Sequence, residues 1–125
     1  MERKMIATEK APAAIGPYAQ ANLVGNLLFT SGQIGLDPAT GNLVEGIEAQ
    51  TKQVMSNLDA ILKEAGSSFE NVIKTTCFLN DMGDFATVNG IYAKYFKEGL
   101  PSRSAVQVTA LPKGALIEIE AIAYI

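Results

Sequence analysis

The run Ser104–Leu111 carries Ala105, Val106, Val108, Ala110 and Leu111, apolar residues on both sides of what an extended chain would make a pleat. Successive side chains of a strand point to opposite faces. A strand in a sheet with one wet face therefore alternates apolar with polar. A strand that does not alternate must be covered twice. The rest of the chain supplies helices for only one face, so the pattern predicts a helix-covered sheet whose second face is closed by self-association. Composition points the same way: 48 % of the residues are hydrophobic in a chain of 125. So much apolar content is hard to bury in a small monomer.

The remaining elements follow from periodicity and turn chemistry. Lys4–Thr8, Gln20–Val24 and Leu27–Ser31 read as strands, the last two joined by Gly25-Asn26, the signal for a tight type II′ hairpin. Ala11–Tyr18 is a loop punctuated by Pro and Gly, and Asp37–Gly41 is a turn. From about Gly46 to Ala65, Ile47, Val54, Leu58, Ile61, Leu62 and Ala65 form one helical stripe, with Gly66 placed to end it. Asn71–Leu79 is β-like. Asp81 can cap a second helix over Met82–Phe96, with Phe85, Val88, Tyr92 and Tyr95 on one side. Two strands close the chain, Arg103–Leu111 and Leu116–Tyr124, joined at Pro112-Lys113-Gly114. The order β-β-β-α-β-α-β-β predicts an α+β domain, residues 1–125, with a mixed six-stranded sheet and two helices on one face.

Several chemistries are absent. The chain has no histidine, which excludes Ser-His-Asp and Cys-His catalysis and His-ligated metals. It has no Gly-rich phosphate loop. Its net charge of −3, with no basic run, speaks against nucleic acid as a partner. The single Cys77 forbids an internal disulfide, no apolar signal core follows Met1–Lys4, and no segment approaches the roughly 18 apolar residues of a membrane span. A cytoplasmic protein with no membrane partner is expected.

Candidate chemistry gathers at four places. Arg103 stands at the mouth of the Ser104–Leu111 run, where a guanidinium needs an anion. That anion is either a protein carboxylate, Glu118 or Glu120, or the carboxylate or phosphate of a ligand gripped by the guanidinium fork. Glu118 and Glu120 lie two apart on one side of the last strand, opposite Ile117, Ile119 and Ala121. They are either an ordinary solvated face or, since Ile122 and Tyr124 continue the same side, a carboxylate whose pKa is raised toward that of a general base. Ser31-Gly32 ends a strand and offers either a bend or a hydroxyl and close backbone for a ligand. Tyr18, after Gly16-Pro17, either packs or lines a site. Cys77, in an apolar strand, reads as an inert core thiol.

Taken together, Ala11–Tyr18, Thr30-Ser31-Gly32-Gln33-Ile34, Asp84–Asn89, Pro101-Ser102-Arg103-Ser104 and Ile117–Ala123 resemble the RidA (YjgF) family, in register from about Ile6 to Ala123. The resemblance implies a chorismate-mutase-like fold and homotrimers with ligand clefts between subunits. It also implies hydrolytic deamination of reactive enamine and imine intermediates, 2-iminobutanoate and 2-iminopropanoate (the latter from 2-aminoacrylate), to 2-oxo acids and ammonia, without metal or cofactor. By position, Arg103 would grip the substrate carboxylate and Glu118 would activate water. Tyr18, Ser31 and Gly32 would line the cleft, with Phe85 and Asn89 as wall residues. Ala105 stands where many deaminating members have Cys, leaving its backbone N–H for ligand binding but no thiol. The loop Lys97–Pro101 looks shorter than in some relatives. A non-catalytic metabolite-binding regulator using the same anion pocket is the alternative.

Overall fold

A computed structural model describes all residues, Met1–Ile125. Its strands are β1 (Arg3–Ile6), β2 (Ala21–Val24), β3 (Leu27–Thr30), β4 (Val72–Leu79), β5 (Ser102–Gln107) and β6 (Ile117–Tyr124), and its helices α1 (Ile47–Glu64) and α2 (Phe85–Tyr92). The six strands form one sheet in the order β1-β2-β3-β6-β4-β5, antiparallel except for the β4–β5 pair. This is the expected mixed sheet. At Gly25 φ is 61°, and Asn26 stays out of the left-handed region, as a type II′ turn requires.

Both helices lie on one face of the sheet, packed against each other and, through α1, on β6. Ile117 and Ile119 of β6 are wholly buried beneath them, with Leu28, Cys77 and Leu79 from neighbouring strands and Val54, Met55, Leu58, Ile61 and Leu62 from α1. Each such side chain contributes about 1.5–3 kcal/mol by leaving water. Helix α1 ends as its sequence indicates. Gly66 takes φ 84°, Ser67 N–H donates to Leu62 O at 2.8 Å, and Gly66 N–H donates to Lys63 O at 3.1 Å, the paired bonds of a glycine-terminated helix.

Two expected elements are shorter. The strand drawn to Leu111 stops at Gln107. There the Gln107 side chain accepts from Met82 N–H at 2.8 Å, and Val108 N–H reaches Leu79 O at 2.8 Å. Those bonds fasten the chain to the end of β4 and redirect it. The second helix is α-helical only over Phe85–Tyr92, with a 3₁₀ turn on each side. Asp81 caps the leading 3₁₀ turn, accepting from Gly83 N–H at 2.8 Å, and Asp84 at the start of the α-helical part makes no side-chain cap bond.

Neither helix covers the opposite face of the sheet. Register places Met5, Leu27, Phe29, Ile122, Tyr124, Phe78 and Val106 on it. Phe29, Val106 and Tyr124 are each more than 40 % exposed. Asn22, between Met5 and Phe29 in this register, has a buried Oδ1 that accepts no hydrogen bond.

Candidate active site

Glu118 lies on the open face, in β6, beside a break in the pairing of β3 with β6. Phe29 pairs with Ile122, and the next bridge joins Gln33 to Ile119. Three residues of one strand thus stand against two of the other, a bulge that turns Ser31-Gly32 toward the carboxylate. Thr30 fills the gap, its Oγ1 accepting from Ala121 N–H at 3.0 Å. Gly32 leaves the space that the Glu118 carboxylate occupies. A Cβ there would come within 2.7 Å of Glu118 Cδ and 2.9 Å of Cγ, and would overlap Oε2.

A cavity of about 530 Å³ opens over this point, lined by Tyr18, Ser31, Gly32, Gln33, Lys113 and Glu118 with apolar walls from Pro12, Ile15, Ile34 and Leu36. Buried amides hold the walls in place. The Gln20 side chain accepts from Thr8 N–H at 2.7 Å and donates to Pro12 O at 2.7 Å. Asn57 of α1 donates to Ile34 O and Leu36 O at 3.2 and 2.9 Å. Ser31 Oγ donates to Ala19 O at 2.6 Å, so the hydroxyl tethers the Tyr18 loop and leaves its oxygen to accept from a ligand. Lys113 is the one non-glycine residue in the left-handed region, at φ 58°.

Burial raises the Glu118 carboxyl above its ordinary value, and the like charge of Glu120 raises it further. Glu120, though on the same side of β6, is exposed. Geometry thus separates the two glutamates: one sits in a cavity against a glycine, the other in solvent.

Arg103 is elsewhere. It shares a rung with Thr75 and Ala121, both buried on the helix side, whereas Glu118 shares a rung with Phe78 and Val106 on the open side. Within one chain the two therefore point to opposite faces, and the ion pair between Arg103 and a glutamate is not formed. The only ion pairs are Lys52–Glu48 and Lys63–Asp59 along α1. Arg103 instead lies against α2. Its Nη1 donates to Asn89 Oδ1 at 2.8 Å, and its guanidinium carbon is 5.2 Å from the centre of the Phe85 ring and 4.8 Å from that of Tyr92. A neutral amide and two ring faces hold the cation without neutralising it. Its remaining donors are available to an external anion.

Ala105 pairs with Cys77 on the same side of the sheet as Arg103. Burial pushes the Cys77 thiol up to about 11 against the opposing pull of Arg103, so it is the inert thiol its setting suggested. The sequence thus identified the members of two clusters: Tyr18, Ser31, Gly32 and Glu118 in one, Arg103, Phe85 and Asn89 in the other. It missed Tyr92, which its periodicity marks only as core. A tyrosine on a core stripe carries a hydroxyl that needs a partner, and that was the available signal. It also missed Lys113, whose left-handed backbone no local pattern announces.

Comparison with known proteins places these clusters in a family. The family model described as Endoribonuclease L-PSP matches residues 8–125. The mouse protein named 2-iminobutanoate/2-iminopropanoate deaminase is 57 % identical over 122 residues, covering 97 % of this chain and 90 % of its own. A Yersinia pestis structure, YyfA of the conserved Rid protein family, superimposes with a TM-score of 0.97 at 50 % identity, covering 99 % of this chain and 100 % of its own. E. coli TdcF, solved with bound serine, gives a TM-score of 0.94 at 45 % identity over 98 % of each chain. With its six-stranded sheet, its two helices and these residues in register, the chain belongs to the endoribonuclease L-PSP family, the RidA/YjgF group.

Proposed function

We propose that the protein hydrolyses small 2-imino acids, 2-iminobutanoate and 2-iminopropanoate, to 2-oxo acids and ammonia. It does so in clefts where Arg103 of one copy meets Glu118 of another. The observation that carries this reading is the separation of the two groups: an anion-seeking cation and a carboxylate of raised pKa occupy opposite faces of one sheet. Each is half of a hydrolytic site, and only a second copy can join them. The uncovered apolar side chains Phe29, Val106 and Tyr124 support a self-association that supplies their cover. A closed homotrimer is the assembly assigned here, and the mammalian relatives named as deaminases support the reaction.

Arg103 fixes the substrate carboxylate and so orients the imine carbon over the cavity. Glu118 takes a proton from water as the oxygen adds to that carbon of the protonated imine, the iminium form, giving a neutral tetrahedral aminol. The carboxyl returns the proton to nitrogen. The C–N bond then breaks as the hydroxyl oxygen's lone pair forms the carbonyl, and the hydroxyl proton leaves with ammonia as ammonium. A carboxyl raised above its ordinary value is a stronger proton acceptor than a free one and can still return the proton. Tyr18, Ser31 and Gly32 line the side on which water arrives, and Phe85, Asn89 and the Ala105 backbone the side that receives the carboxylate. The family's nuclease description would call for a basic groove that tracks phosphates, and a net charge of −3 with one arginine in the site offers none.

The test couples the protein to a serine or threonine dehydratase and follows 2-oxo acid formation in a buffer that slows spontaneous imine hydrolysis. Acceleration that vanishes in Arg103→Ala and Glu118→Gln supports the reading. No acceleration by the wild-type protein, with 2-oxobutanoate still bound, would instead assign a metabolite-binding regulator.

A further inference from the structure

Beneath Arg103 lies a hydrogen bond that the proposed reaction does not use. Thr75 Oγ1 and the Tyr92 hydroxyl are 2.7 Å apart, with Thr75 only 2 % and Tyr92 only 7 % exposed. Thr75 is the residue paired with Arg103 across the β4–β5 register, and Tyr92 is the nearer of the two rings against the guanidinium. The bond therefore ties α2 to the very rung of the sheet from which Arg103 projects. Asn89, one turn before Tyr92 on the same helix, holds the guanidinium from the other end of this link. Burial keeps the Tyr92 hydroxyl protonated, raising it above its ordinary value, so the pair remains a neutral hydrogen bond beside the cation.

We propose that the buried Thr75–Tyr92 hydrogen bond positions Arg103 for its ligand: by fastening α2 to strand β4, it fixes the Tyr92 ring and Asn89 amide that together set the plane of the guanidinium. Two parallel donors grip a carboxylate only when that plane is held. Four constraints act on it: the strand that carries it, the Phe85 and Tyr92 rings and the Asn89 amide. The three that belong to α2 depend on a helix of eight residues, too short to be rigid by itself. The hydroxyl pair adds a directional tie to β4 beyond the packing of α2 against α1. Tyr92 and Thr75 are thus positioning residues that touch neither substrate nor water, and the inference rests on Arg103 being the carboxylate holder.

The test uses Tyr92→Phe, Thr75→Val and the double variant in the full-length protein, each measured for thermal midpoint, for kcat in the coupled assay and for 2-oxobutanoate affinity by calorimetry. Each single variant strands one buried hydroxyl and should melt lower, whereas the double variant removes both polar groups and should regain most of that loss. Affinity should behave differently. All three variants should bind 2-oxobutanoate roughly three- to ten-fold more weakly, the double no worse than either single, because one link is broken in each. The kcat should change less than affinity. If affinity recovers in the double variant along with stability, or is unchanged in all three while Arg103→Ala abolishes binding, the link is structural only and the inference is wrong. Unimpaired binding in Arg103→Ala would overturn the underlying assignment of Arg103 instead.

Discussion

The two halves of the candidate site are built in contrasting ways. Around Arg103 everything is tethered: an amide at 2.8 Å, two rings, and a buried hydroxyl pair behind them. Around Glu118 the restraint is spatial, a missing side chain at Gly32 and a bulge that brings the backbone close. The difference suits the two tasks. A carboxylate clamp works by geometry and gains from a fixed plane. A proton carrier works by its pKa, and tethering it with donors would favour the charged form and lower that pKa. The protein orders one half with polar contacts and tunes the other by withholding them.

Arg103→Lys breaks the first half most sharply. It keeps the charge but loses the planar fork, and it should lower kcat/KM by on the order of 10²-fold or more; activity near wild type would mean that charge alone suffices. The separation of the halves is tested by mixing inactive chains. If each site takes Arg103 from one copy and Glu118 from the next, equal amounts of Arg103→Ala and Glu118→Gln chains, reassembled together, should recover about one quarter of wild-type sites. No recovery, with mixed assemblies verified by mass, would place both residues in one subunit's site. In the second half, Gly32→Ala should displace the carboxylate and cost roughly 10²-fold in kcat, with a smaller change in 2-oxobutanoate affinity.

Smaller effects probe how Glu118 is tuned. Glu120→Gln removes a like charge, so the Glu118 pKa should fall and the acid limb of the kcat/KM profile should move to lower pH. An unmoved limb would leave burial as the sole cause. The linkage to stability has a definite sign. With a folded pKa above the unfolded one, the folded state holds its proton more tightly, and stability is lost as pH rises from the unfolded through the folded value. Glu118→Gln escapes that loss. It should melt about a degree or two higher than wild type at neutral pH, with the gap closing under acid.

Much of this was legible in the chain. The α1 stripe, the glycine that ends it and the alternation of β6 are local patterns, and each appears where its periodicity places it. The residues of both clusters were legible too, through their motifs. Their division between two faces was not. It depends on the register that pairs Thr75 with Arg103 and Phe78 with Glu118, which no single segment encodes. Gln20, Gln50 and Asn57 look like surface amides in sequence, yet all are buried. Gln50 accepts from Leu116 N–H at 2.8 Å, and the other two pin cavity walls. Such roles exist only once distant backbone has arrived beside them.

The contact between Gly32 and Glu118 also has a meaning for descent. The two positions, 86 residues apart in the chain, share one volume, so neither can drift alone. A side chain at 32 and the present position of the carboxylate at 118 are alternatives, so a change at the first asks for a compensating shift at the second.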